Sequence, residues 1–296
     1  MPARVAIARA DRIAEAVTAA LAPLDLAGLV RDRYVAVKPN DTWATSDDTT
    51  GVTRGDTLDA VLASLLEAGP RRLVVSGGAG AAETEDVLRV SGMLDAARRH
   101  GVEVVDHNRP PFEEVALDHG PERSVKVNRR VLEYEVLVSL AQLKMHDSAT
   151  VTLCLKNVAM SYPAADWYGH PRGSYAHEHA FFEDLHGFIA AMARRFPIHL
   201  GIIAGHPAMI ATGPLGGKTV ETGLVVASRD PLAADVVGAR LLGFRPMAVR
   251  HIWEAGRLGV GETDLSRIEV VGLPLEAAIR HFTQAAYGQA LTYEHA

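Results

Sequence analysis

Cysteine, aromatic rings, net charge and long apolar runs are all scarce in this chain. One cysteine, Cys154, among 296 residues excludes a disulfide within the chain, a cysteine-built zinc site and an iron–sulfur cluster held by one subunit. A net charge of −6 makes nucleic acid or an anionic membrane surface a poor partner, although a local basic cleft is compatible with it. No apolar stretch approaches the roughly 18 residues that a membrane span requires. The opening MPARVAIARADRIAEAV reaches an acid by position 11 and does not read as a secretory leader. These absences point to a soluble, cytoplasmic protein with no membrane or nucleic-acid partner. What is present is ordinary globular material. A hydrophobic share of 48% against 22% charged is enough for one large core or for two lobes sharing a cleft, and argues against disorder.

Short apolar runs alternate with helical patterns. VAIARA (5–10) precedes RIAEAVTAALAPL, and YVAVKPN (34–40) reads as a buried strand ending in a loop. DTLDAVLASLLEAG (56–69) has Asp56 placed as a cap and Gly69 as a stop, and RLVVSGG (72–78) follows as a strand. TEDVLRVSGMLDAARRHG (84–101) reads as one helix capped by Thr84, followed by the strand VEVVD (102–106). Later come EVLVSLA (135–141), an irregular interval at 158–179, an amphipathic helix at 179–196 and IHLGIIAG (198–205). VETGLVVAS (220–228), the helix PLAADVVGARLLG (231–243) and RIEVVG (267–272) complete the series. Such alternation predicts an α/β fold with a mixed, largely parallel sheet flanked by helices. Residues 1–296 form either one domain on one sheet or two lobes divided near 150–180 around a central cleft.

Ligands of open α/β sheets bind beyond the carboxyl ends of the strands, so the residues just after each strand are the candidates. They include Lys38 and Asn40, then SGGAGAAET (76–84), then LKMHDSATVTLCLKN (143–157), then TGPLGGK (212–218) with Gly216 and Gly217. The segment 143–157 raises the sharpest question. It is apolar enough for a core, yet it carries Lys144, His146, Lys156 and Asn157. Burying an unpaired ammonium costs several kcal/mol, so these groups need a partner. A carboxylate or phosphate would satisfy two lysines at once. The glycine loop at 77–80 is either a tight strand-to-helix turn or an anion cradle of backbone N–H groups. His170, His177, His179 and His186 fall within 17 residues, beside Glu183 and Asp184. They form either a polar helix face or the ligand set of a divalent metal. Cys154, between two leucines, reads as a small buried hydrophobe.

LKMHDSATVTLCLKN resembles the signature of the DUF362 family, in which Leu-Lys-Thr-His is followed by Val-Thr-Leu-Ala-Leu-Lys-Asn. Lys144, His146, Val151, Thr152, Leu153, Leu155, Lys156 and Asn157 match it without a gap. VAVKPN, the glycine-rich 76–84, the His177 region ahead of Asp184, GPLGG, and SRDPLAADVVGARLLG with Asp230 and Asp235 follow in family order. The resemblance covers nearly the whole chain, but the family name records no role. Many relatives carry ferredoxin-type cysteine motifs, which implies redox surroundings for them; this chain has none. A more distant similarity of layout, lysine and histidine in a cleft between α/β lobes, extends to nickel-pincer lactate racemases. One departure stands out. Where relatives read Ile-Val-Asp-Gly-Ile-x-Ala-Met-Glu, this chain has IIAGHPAMI, so Ala204 and Ile210 replace acids and His206 is new.

These residues give the expectation of an enzyme acting on a small anionic metabolite by proton transfer, of isomerase, racemase or lyase type. Lys38, Asn40, Lys156, Asn157, Gly216 and Gly217 would bind the substrate, and Lys144, His146 and His177 would be catalytic. A divalent metal on His177, His179, Glu183 and Asp184 is optional. The alternative is a non-catalytic binder using the same basic cleft. The residues leave self-association into a homo-oligomer open.

Overall fold

The computed structural model describes residues 2–80, 82–164 and 182–292. Its strands are β1 (Ala3–Arg9), β2 (Tyr34–Pro39), β3 (Arg72–Gly77), β4 (Glu103–Asp106), β5 (Phe112–Ala116), β6 (Ser124–Asn128), β7 (Val136–His146), β8 (Thr150–Thr152), β9 (Leu200–Ile210), β10 (Lys218–Val220), β11 (Leu224–Ser228) and β12 (Ile268–Gly272). Eight of them form one continuous sheet in the order β12-β1-β11-β9-β7-β2-β3-β4, with β8 and β10 added as hairpins on β7 and β9. The run from β9 to β4 is parallel, as is β1 with β12, while β11 is antiparallel to both its neighbours. β5 and β6 make a separate two-stranded ribbon. The fold is thus α/β with a mostly parallel sheet, and both halves of the chain supply strands to it.

Buried-strand composition explains the layering. Every residue of β2 is buried, and β7 is buried along nearly all its length, as expected for parallel strands covered on both faces. One core packs Leu58, Leu62 and Val17 on one side of the sheet, and a second packs Leu155, Phe188 and Val236. The first six helices are α1 (Ile13–Leu21), α2 (Leu26–Val30), α3 (Gly55–Glu67), α4 (Thr84–Val90), α5 (Met93–Arg99) and α6 (Cys154–Ala159).

Several boundaries differ from expectation for identifiable reasons. The helix expected over 84–101 is two, broken at Gly92, whose φ of 76° is left-handed. The break lets Gly92 approach so closely that a Cβ on Gly55 would lie 2.4 Å from the Gly92 carbonyl oxygen. Asp56 is inside α3, not its cap. Thr84 likewise opens α4 from within, its hydroxyl donating to Asp106. The helix expected from residue 179 begins at Leu185, because Asp184 caps it by accepting from the Gly187 N–H at 3.0 Å. The strand expected over 220–228 breaks at Gly223, φ 61°.

Candidate functional site

β7 outruns β2. Its register against β9 shifts between Gln142 and Lys144, and beyond the end of β2 its last residues pair with β8. The hairpin sets Lys144 opposite Thr152, so these two side chains share a face. α6 follows at once, and its first backbone N–H groups are held by a buried acid from the helix Pro231–Leu241. The Asp235 Oδ1 accepts from the Cys154 N–H at 2.7 Å, and Oδ2 accepts from Leu155 at 3.0 Å. Asn157 then ties α6 to the sheet. Its amide donates to the Lys38 carbonyl and to the Ser139 hydroxyl, while its Oδ1 accepts from the Lys38 ammonium.

Three lysines meet here, all at most 5% exposed. Lys38 is paired with buried Asp41 at 2.6 Å, and the other Asp41 oxygen accepts from the Gly78 N–H at 2.7 Å. Among the described residues Lys144 donates to carbonyl oxygens: Gly51 at 2.9 Å, with Asn40 and Pro214 each at 3.4 Å. Burial, and then the fields of Lys156 and Lys38, hold its pKa well below the usual lysine range. A small cavity of about 30 Å³ opens beside this cluster, with Asn40, Asp41, Thr152, Lys156, Ser161 and Pro214 among its walls. The Thr152 hydroxyl oxygen is buried and has no hydrogen-bond partner among the described residues.

The structure assembles some of the expected residues and separates others. Lys38, Asn40, Lys156 and Asn157 line the cleft, but the polar atoms of Lys38 and Asn157 bind one another and the protein. The glycine loop is a turn: its Gly78, Ala79 and Gly80 N–H groups go to Asp41, Thr84 and Thr42. Gly216 and Gly217 are not in the cleft wall; their loop contributes Pro214. The His146 ring accepts from the Ser148 and Ala149 N–H groups, each at 3.1 Å, and closes the β7–β8 turn. His177 and His179 lie outside the described residues. Asp184 is engaged as a helix cap and in an ion pair with Arg250, and Glu183 is exposed. No group of three or more metal-ligating side chains is placed together among the described residues. His186 instead puts its Nδ1 3.2 Å from that of buried His251.

Burial first, then Asp235, pushes the Cys154 thiol far up, which fits a packing residue. His206 lies between Asp56 at 3.0 Å and Glu221 at 2.9 Å, and its hydrogen bond to Asp56 raises its pKa. It does not rebuild an acid beside the lysines. Sequence reading passed over Asp41, His107 and Ser161. The available signals were an acid at i+3 from Lys38 and a histidine directly after a strand.

The chain is 25% identical over 236 residues to the thylakoid-associated protein sll1697 of Synechocystis sp. (strain ATCC 27184 / PCC 6803 / Kazusa), covering 77% of this chain and 69% of that one. A crystal structure of a Thermotoga maritima protein aligns over 84% of this chain with a TM-score of 0.44 at 15% identity, and the chain spans 60% of its length. The family model described as domain of unknown function, DUF362, matches residues 35–240, which hold β2, the glycine turn, the 143–157 signature and Asp235, and the chain belongs to that family.

Proposed function

We propose that the cleft binds a small carboxylate or phosphate anion and moves a proton on it, as an isomerase, racemase or lyase does. Thr152 carries the reading. A buried hydroxyl left without a partner costs about 1–3 kcal/mol, and Thr152 belongs to the wall of the same cleft as Lys156. An anion oxygen at that place would accept from the hydroxyl and meet the ammonium. Neither the glycine turn nor the α6 N-terminus competes for the role, since their N–H groups are occupied within the fold. Lys144 lies behind the wall, where its Nζ donates to Gly51, Asn40 and Pro214 and fixes the last two in place.

A second reading, the same cleft as a non-catalytic binder, is favoured by His146, which serves the turn and is not among the lining residues. The metal set at His177, His179, Glu183 and Asp184 is not part of either reading. A cytoplasmic setting remains our proposal, resting on the lone buried Cys154. Among the described residues no helix is long and apolar enough to cross a membrane.

Calorimetric titration with inorganic phosphate and small mono- and dicarboxylates tests the proposal. Binding is expected in the natural protein. It should fall about 10- to 100-fold in Lys156→Met, the size of one hydrogen bond to a charged group. Incorporation of solvent deuterium into a bound carboxylate, read by NMR, would establish the enzyme; binding without exchange would establish the binder. Failure of every anion to bind, or equal binding by Lys156→Met, would remove both.

A further inference from the structure

We infer that Ser161 is the proton donor of this cleft, fed by a one-directional hydrogen-bond chain from Tyr134 through Ser76 and His107; this rests on the proton-transfer reading above. The Tyr134 hydroxyl donates to Ser76 Oγ at 3.0 Å. Ser76 Oγ lies 3.0 Å from His107 Nδ1, and His107 Nε2 lies 2.8 Å from Ser161 Oγ. The Ser161 hydroxyl donates to the Gly78 carbonyl at 2.9 Å. Ser76 and His107 are fully buried, Ser161 is 5% exposed in the cleft wall, and Tyr134 is only partly buried.

Counting protons gives the chain its direction. Ser76 receives from Tyr134, so its own proton goes to His107 Nδ1. The ring proton therefore sits on Nε2 and points to Ser161, whose hydroxyl proton is left at the cleft wall on Gly78. The Ser161 carbonyl oxygen, 3.1 Å from Nε2, can only accept and requires the same direction. Two features hold the ring in place. A Cβ at Gly78 would lie 2.0 Å from His107 Nε2, so only glycine admits the imidazole there. Tyr162 packs edge-on to the same ring at a centroid distance of 5.3 Å.

This polarity suits delivery of a proton, not attack by the serine oxygen. As Ser161 gives its proton to a carbanion or enolate formed in the cleft, its oxygen takes the Nε2 proton. His107 Nδ1 then takes the proton of Ser76, and Ser76 takes that of Tyr134. Burial pushes the Tyr134 phenol up, so it does not stay ionised and recovers its proton from water at its exposed edge. The fitting substrate is a small carboxylate or phosphate whose carbanion or enolate form takes its proton from the Ser161 hydroxyl, at the Gly78 side of the wall. His107, Ser76 and Tyr134 are positioning residues.

NMR of the full chain with labelled histidine tests this without any ligand. His107 is expected as a single neutral tautomer protonated at Nε2. Exchange of that proton with solvent should slow about tenfold, or about 1.4 kcal/mol in barrier, in Tyr134→Phe. A variant that merely loosened the fold would speed exchange instead, so the sign separates relay from damage. A ring proton on Nδ1, or an exchange rate unchanged or raised in Tyr134→Phe, would overturn the relay. Absence of anion binding in the calorimetry would sink the proposed function while leaving this measurement to stand by itself.

Discussion

Asp41→Ala is expected to lower the unfolding free energy by about 3–5 kcal/mol, a large part of the roughly 5–15 kcal/mol that holds a domain together. Two buried groups lose their partner in that one change. The Lys38 ammonium, 2% exposed, keeps the Pro39 carbonyl and Asn157 but loses the Asp41 carboxylate. The Gly78 N–H is orphaned at the turn that admits His107. Removing the charge from both sides is the control. In Lys38→Met/Asp41→Leu the Gly78 N–H, the Pro39 carbonyl and Asn157 Oδ1 lose these bonds but no charge is left by the exchange, and the double variant should recover part of the loss, because a buried pair exchanged for apolar groups is often neutral. Urea unfolding decides it. A loss below about 1 kcal/mol for Asp41→Ala would match an exposed pair and would mean that Lys38 is not held by Asp41.

Asp235→Ala should cost about 2–6 kcal/mol, from two buried N–H groups left without acceptors at about 1–3 kcal/mol each. The same variant should weaken anion binding, since α6 carries both Lys156 and Asn157. Burial pushes the Asp235 carboxyl up to about 7 against the pull of the Leu155 and Cys154 N–H groups. With the folded value raised above the ordinary carboxyl range, the folded state holds a proton that the unfolded chain releases between about pH 4 and pH 7. The contribution is complete below pH 4 and lost as pH rises through 7. Stability of the natural protein should therefore decline over that window, and the decline should shrink in Asp235→Asn, which cannot titrate. A stability that rises over the same range in the natural protein and is unaltered in Asp235→Asn would assign the titration elsewhere.

The fold was readable because strands buried on both faces are written as nearly pure apolar runs, and the 34–37, 72–75 and 224–228 segments are such runs. The lengths of β7 and β9 were not. The end of β7 is polar, the end of β9 follows a Gly-His-Pro interruption, and both pair with the hairpin strands β8 and β10, contacts that local periodicity does not report. The site divides the same way. Lys38, Lys144, Lys156 and Asn157 stood out as polar residues in apolar surroundings, and the structure does bring them together. Their partners did not stand out. Asp41, Thr152 and Ser161 are ordinary loop or strand residues by composition, and only the folded chain shows that one of these hydroxyls is orphaned and another ends a relay. Likewise the 77–80 glycines attract attention as an anion loop, but their meaning is steric: the turn must leave room for the His107 ring.

Thr152→Val tests the central claim most directly, because binding and stability should move in opposite directions. Loss of the unpartnered hydroxyl should stabilise the protein without ligand by about 1–3 kcal/mol, read as a rise of several degrees in Tm. The same change should reduce phosphate or carboxylate affinity about tenfold, in line with one lost hydrogen bond to a charged acceptor. A lower Tm with undiminished anion affinity would show that the hydroxyl serves the fold and that the cleft is not the binding site.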